Sequence, residues 1–281
     1  MSSILTDLIR TDGEYRQLLK AAEAQKSAAK QQPSCVTGLC DGAADAAYVS
    51  LLEDLKTKDA RAALLICPEE KECVRLKNLL CRYGVRTAFY MGRDLTFYNI
   101  TASHEYEHER LRVLSALLEG ELDAVVTTPD ALLGYTVPPD RLVDAAIRIA
   151  YGDTGIDPAA LSERLVAAGY VRVELVDSPG QFALRGGILD IYPASGKFTD
   201  VDGQQTVGSY PFRIELFGDE IDRMEQFDPE TQRMTVTLDR VEFSPARELL
   251  LTPQSREELK RAVSGWLART RDERAREEMR S

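Results

Sequence analysis

Three stretches of this chain carry residue types at spacings that could do chemistry. The first is Gly38-Leu39-Cys40-Asp41-Gly42-Ala43-Ala44-Asp45, which follows Cys35-Val36-Thr37 and leads into a helical run from Ala46 to Leu55. A short buried strand, a glycine-containing turn and a helix form the setting in which backbone N–H groups cradle a phosphate. That chemistry needs a lysine for the β/γ-phosphates and a Ser or Thr hydroxyl for Mg²⁺. Ala44 and Asp45 occupy those two positions, and an aspartate would repel a phosphate. Gly38, Gly42, Ala44 and Asp45 thus read as a degenerate phosphate loop that has lost its nucleotide; the competing reading is any strand-to-helix turn with glycines. The second stretch, His104-Glu105-Tyr106-Glu107-His108, matches H-E-x-x-H, which on a helix puts two imidazoles on one face for zinc. Its surroundings are a charged helix start, and Glu119 and Glu121 sit at a helix end and loop, so no third ligand is apparent. A solvated helix face without metal is expected there. The third is Gln181-Phe182-Ala183-Leu184-Arg185, a strand that runs into a Gly186-Gly187 corner. Phe182 and Leu184 share one face of that strand; Gln181, Ala183 and Arg185 share the other, which leaves Arg185 on the side that does not pack.

The elements that must position these residues fall into two styles. Asp12 to Ala29 predicts a helix from its Ala, Leu, Glu, Lys and Gln content. Ala62 to Cys67, Val85 to Tyr90 and Asp123 to Thr128 read as buried strands, with amphipathic helices at Glu69 to Tyr83 and Glu105 to Leu118 between them. Strand-helix alternation of this kind argues for a parallel α/β sheet. After Val137-Pro138-Pro139-Asp140 the spacing shortens. Asp157 caps a helix from Ala159 to Ala168, closed by Gly169. Strands follow at Tyr170 to Val176, Gln181 to Arg185, Ile188 to Tyr192, Tyr210 to Phe217 and Ile221 to Phe227, joined by turns such as Gly218-Asp219-Glu220. That pattern predicts an α+β insert with a curved antiparallel sheet. Lys197 to Ser209 is a polar loop or short ribbon hinged at Asp202-Gly203. A strand from Thr235 to Phe243 is expected to return the chain to the first domain, before a charge-dense helix from Gln254 to Arg280 in which Trp266, the only tryptophan, is a packed anchor.

Composition narrows the function. With 281 residues, 44% hydrophobic and 29% charged, the chain can bury a core as one large or two modest domains. A formal net charge of -11 works against unaided binding to DNA phosphates and points to a protein partner. No apolar run reaches a membrane span, the start lacks a signal-peptide layout, and five cysteines without a CxxC suit a reducing cytosol. No membrane contact and a cytoplasmic location are expected.

Two motifs in order also carry a resemblance: F-A-L-R-G-G-I-L-D-I-Y-P, then P-F-R-I-E-L-F-G-D-E-I-D-R-M at Pro211 to Met224. From about Arg10 to Leu251 the chain resembles the module shared by the nucleotide-excision-repair protein UvrB and the bacterial transcription-repair coupling factor. The resemblance implies a RecA-like, P-loop-type parallel-sheet domain over residues 1–138, with its loop degenerate. It also implies an inserted α+β UvrA-interaction domain over 139–229, and a return to the first domain with a C-terminal helix over 230–281. The family's sheet arginines fall on Arg172 and Arg185, which are expected to contact UvrA from one open face of adjacent antiparallel strands. A third arginine of the UvrB pattern is Ala183 here. The tyrosine-rich hairpin with which UvrB probes DNA is reduced to Phe97 and Tyr98. The implied function is a non-catalytic module, without its own cofactor, that recruits UvrA in transcription-coupled repair. In the full-length family protein, ATP and Mg serve motor domains, a C-terminal domain masks this module, and RNA polymerase and DNA bind elsewhere. The alternatives are a UvrB-like nucleotide- and DNA-binding enzyme fragment or an H-E-x-x-H zinc hydrolase.

Overall fold

The computed structural model describes residues 4–25, 33–56, 62–92, 105–248, 250 and 253–269. His104, Phe97, Tyr98 and the last twelve residues lie outside them. The chain divides into two compact units, Met1–Tyr135 and Thr136–Ser281.

Unit 1 contains α1 (Ile4–Thr11), α2 (Gly13–Gln25), α3 (Asp41–Lys56), β1 (Ala63–Ile66), α4 (Glu70–Arg82), β2 (Thr87–Tyr90), α5 (Glu105–Leu118), β3 (Ala124–Thr127) and α6 (Pro129–Leu133). The strands form a parallel sheet in the order β1-β3-β2. The middle strand β3 is covered on both faces, as a parallel strand requires, while Leu64 and Ile66 of the edge strand β1 stay more than half exposed. Val49 of α3 and Cys73, Leu76 and Leu80 of α4 pack with Ala124 and Val126 on one side. Val113 of α5 and Ala131 of α6 pack with Tyr90 and Val125 on the other. The expected strand at Cys35 to Thr37 does not form: residues 33–40 are exposed and irregular. Val36 is the one large apolar side chain in that triplet, too little buried area to hold a strand against a sheet.

Unit 2 contains α7 (Pro139–Ala145), β4 (Ile147–Ala150), α8 (Pro158–Ala167), β5 (Val171–Arg172), β6 (Gln181–Arg185), β7 (Ile188–Tyr192), β8 (Gly196–Asp200), β9 (Gln205–Gly208), β10 (Phe212–Phe217), β11 (Glu220–Phe227), β12 (Met234–Phe243) and α9 (Pro253–Arg269). The strand order is β5-β6-β7-β10-β11-β12-β8-β9, with β4 also on β12. Pairing is antiparallel throughout except at β5 and β6. Asp157 caps α8 by accepting from the Ala159 N–H at 2.9 Å. The helix lays Leu161 and Leu165 on the face formed by Phe182, Leu189, Ile191, Phe212, Ile214, Ile221 and Met224. Edge-to-face contacts at 5.6–5.9 Å link Phe198, Phe212, Phe243 and Tyr170 through that core. The Tyr170 hydroxyl donates to the Ser244 carbonyl at 2.7 Å, and burial pushes its pKa up.

Three expectations are corrected here. The strand at 234–243 does not return to the first domain: it pairs with β11 along one half and with β4 and β8 along the other. Leu238, Val241 and Phe243 face the unit 2 core, and that burial fixes where it goes. Tyr170 to Val176 is strand only at Val171–Arg172, and it runs parallel to β6. The Val173 N–H still donates to the Phe182 carbonyl at 2.9 Å, and beyond it Val173 and Val176 pack with Ala183, Phe227, Tyr192 and Met234 before the chain enters β6 in the parallel sense. Trp266 is 42% exposed on α9, not a packed anchor.

Candidate functional site

The exposed arginine at the end of β6 stands on a built charge arrangement. Period-2 alternation and the strand register place Ala183, Asp190, Arg213 and Glu225 in one cross-strand row, from β6 through β7 and β10 to β11. Arg185, Ile188, Glu215 and Arg223 form the next row. Asp190 is fully buried, and its carboxylate accepts three hydrogen bonds from two arginines. Arg213 donates Nε to Oδ1 at 2.6 Å and Nη2 to Oδ2 at 2.9 Å, a two-point clasp. This hydrogen bond raises the Arg213 pKa, and the guanidinium also lies over the Phe227 ring at 5.5 Å. Arg185 donates Nη2 to the same Oδ2 at 3.0 Å while keeping 53% of its side chain exposed.

Two glycine corners bring a further side chain to the same end of the sheet. The β6–β7 hairpin turns at Gly186 (φ 61°) and Gly187, and the β10–β11 hairpin turns at Gly218 (φ 67°) and Asp219. The two tips are tied by the Leu216 N–H, which donates to the Gly187 carbonyl at 2.8 Å. A Cβ on Gly187 would meet that Leu216 carbonyl oxygen at 3.0 Å, so the close approach favours glycine. Phe217, next in the chain, is 80% exposed. Alternation along β10 puts it on the face of Arg213 and Glu215. An exposed phenyl and a half-exposed guanidinium with an exposed Ile188 between the tips suit a protein surface that offers carboxylate and apolar groups together.

Arg172 is placed differently from expectation. The parallel register sets it beside Phe182, on the sheet face opposite Arg185. Its Nη2 donates to the Leu184 carbonyl at 3.4 Å, so its guanidinium ends at the edge of β6 next to the residue that precedes Arg185. The two arginines share one end of β6 but not one face. Asp190, Arg213 and Phe217 were missed as site residues in the sequence. Their signal was present in the two motifs: alternation puts Arg213 and Phe217 on one side of β10, and Asp190 lies directly opposite Arg213 once the strands are paired.

The other two chemistry-bearing stretches are resolved in unit 1. The helix α3 begins at Asp41, and the Ala44 N–H donates to the Cys40 carbonyl at 2.9 Å. Gly42, Ala44 and Asp45 are therefore wound into the helix, and only Gly38 (φ 79°) remains in the preceding turn. The Asp45 carboxylate accepts two bonds from Arg75, both 2.8 Å. Arg75 also holds Glu72, and that hydrogen bond lowers the Glu72 pKa. Of the zinc-like pattern, Glu105 and His108 open α5, and His108 is buried instead of solvated. Among the described residues no group of three or more His, Cys, Asp or Glu is placed to hold a metal ion.

Residues 147–249, from β4 through β12, match the family model of the UvrB interaction domain. Beyond that segment the chain is similar to transcription-repair-coupling factors. One relative, from Bacillus subtilis, is 34% identical over 167 residues, 59% of this chain and 13% of the relative. Another, from Staphylococcus epidermidis, is 28% identical over 257 residues, 90% of this chain and 20% of the relative. A Staphylococcus aureus relative is 28% identical over 267 residues, 92% of this chain and 21% of the relative. The resemblance read from the two motifs stands, and the chain spans about a fifth or less of the length of these relatives. Among the described residues, no helix is long and apolar enough to cross a membrane.

Proposed function

We propose that this chain is the UvrB-like module of a transcription-repair coupling factor and that it recruits UvrA in transcription-coupled nucleotide excision repair. The observation that carries the reading is the half-exposed Arg185, anchored on a buried carboxylate at the end of the sheet that also exposes Phe217, inside the segment that matches a UvrB interaction domain. UvrA docks on this face through an acidic and apolar patch, with Arg172 contributing from the edge of β6. The module is non-catalytic and needs no cofactor, and unit 1 is a degenerate RecA-like domain. The longer protein supplies RNA polymerase and DNA contacts, and the C-terminal domain that masks this face, from its other domains.

Calorimetric titration with purified UvrA tests the reading. Arg185→Ala and Phe217→Ala should each weaken binding about thirtyfold or more, the cost of truncating a hot-spot residue. Thermal unfolding should shift little, because both side chains project from the core. Parent-like affinity in both variants would sink the docking face.

A further inference from the structure

We infer that Asp190 is the positioning residue of this face: it holds the Arg185 guanidinium in one pose before the partner arrives. The inference rests on the docking reading above. Asp190 faces Ala183 on β6 and Arg213 on β10. Ala183 is buried against Val176 and Phe227, and Arg185 stands two residues further along the same face. Arg185 reaches back to Oδ2 with a single nitrogen, Nη2. Its other donors stay open to a carboxylate approaching from solvent.

The two arginines depend on Asp190 unequally. Arg213 has Glu225 as its cross-strand neighbour on β11, so a second acid is at hand if Asp190 loses its charge. Among the described residues Asp190 is the one carboxylate that Arg185 reaches. Without it a side chain this exposed would sample many rotamers, and a partner would have to immobilise it at binding. Asp190 removes that cost in advance. A buried acid that the partner never touches thereby sets the direction from which the partner's carboxylate must come.

Calorimetry against UvrA on four chains decides the matter: the parent, Arg185→Ala, Asp190→Asn and the double variant. In the parent background Asp190→Asn should weaken binding about tenfold, roughly 1.4 kcal/mol. In the Arg185→Ala background the same change should alter affinity less than about twofold, because the residue it positions is gone. Equal losses in both backgrounds would mark Asp190 as a structural residue and overturn the inference, as would no loss in the parent. If Arg185→Ala itself binds like the parent, the docking reading fails first and this inference with it. A measurement on the unmutated chain does not depend on the variants folding. Nitrogen-15 relaxation of the Arg185 Nε–H in the absence of UvrA should give an order parameter near that of the rigid backbone, about 0.85. A value below about 0.6 would overturn the inference.

Discussion

Asp45, which the sequence reading set at the magnesium-ligating position of a phosphate loop, has its charge already paired. Arg75 clasps it at two points and takes Glu72 as well. All three side chains are partly exposed, so the triad contributes no more than about 1 kcal/mol to stability. Its chemical effect is larger than its energetic one. Ala44 and Asp45 are wound into α3, and the Asp45 carboxylate is met by an internal ion pair that leaves it no charge to offer a metal-bound phosphate. Micromolar Mg-ATP should therefore give no binding heat with this chain, and a hyperbolic titration curve would contradict that expectation. The contrast with Asp190 is instructive. Both aspartates accept a two-point clasp from an arginine. Only Asp190 is buried, and only there does a second arginine share the carboxylate and project its remaining donors outward.

At the scale of elements, α8 ends where the chain must turn sharply into β5. Gly169 takes a left-handed conformation (φ 88°) there, and an added Cβ would run into the Cβ and Cγ of Arg247. Gly203, in the β8–β9 turn, has a similar φ of 82° but open space around it. Gly203→Ala should cost about 1–2 kcal/mol from backbone strain alone, and Gly169→Ala distinctly more. Urea unfolding of the two variants, with unchanged slope, would show the difference. Equal losses would mean that Arg247 moves aside freely. The same elements show what a sequence makes legible. The helices α4, α5 and α8, the hairpin β6–β7 and the strands of the parallel sheet follow from periodicity, caps and glycine corners, all local signals. What was not legible depended on distant partners. Val36 lacked a ladder to join, Val173 and Val176 were drawn into packing with Ala183 and Phe227, and β12 was claimed by β11, β4 and β8. The site divided in the same way. Alternation put Arg185 on the face of Ala183, but not that this face packs, with Ala183 buried against Val176 and Phe227; the carboxylate that holds Arg185 became visible only when β7 and β10 were set side by side.

At the scale of the whole molecule, the candidate docking face draws every residue from unit 2, which has its own core of eighteen buried side chains joined by α8 and the sheet. Residues 136–269 produced alone should therefore fold, with a strand-rich circular dichroism spectrum, and bind UvrA within about threefold of the full chain, a difference of roughly 0.6 kcal/mol. Loss of binding by a folded fragment would show that unit 1 supplies part of the surface. Within unit 2 one strand has a mechanical consequence. Antiparallel ladder bonds lie perpendicular to their strands, so tension along a strand loads its bonds together in shear. Residues of β12 are bonded to β11 on its first half and to β4 and β8 on its second. A pull transmitted along the chain through Phe243 would meet these ladders first. Force delivered at one end of the unit would thus be shared among three neighbouring strands instead of falling on one.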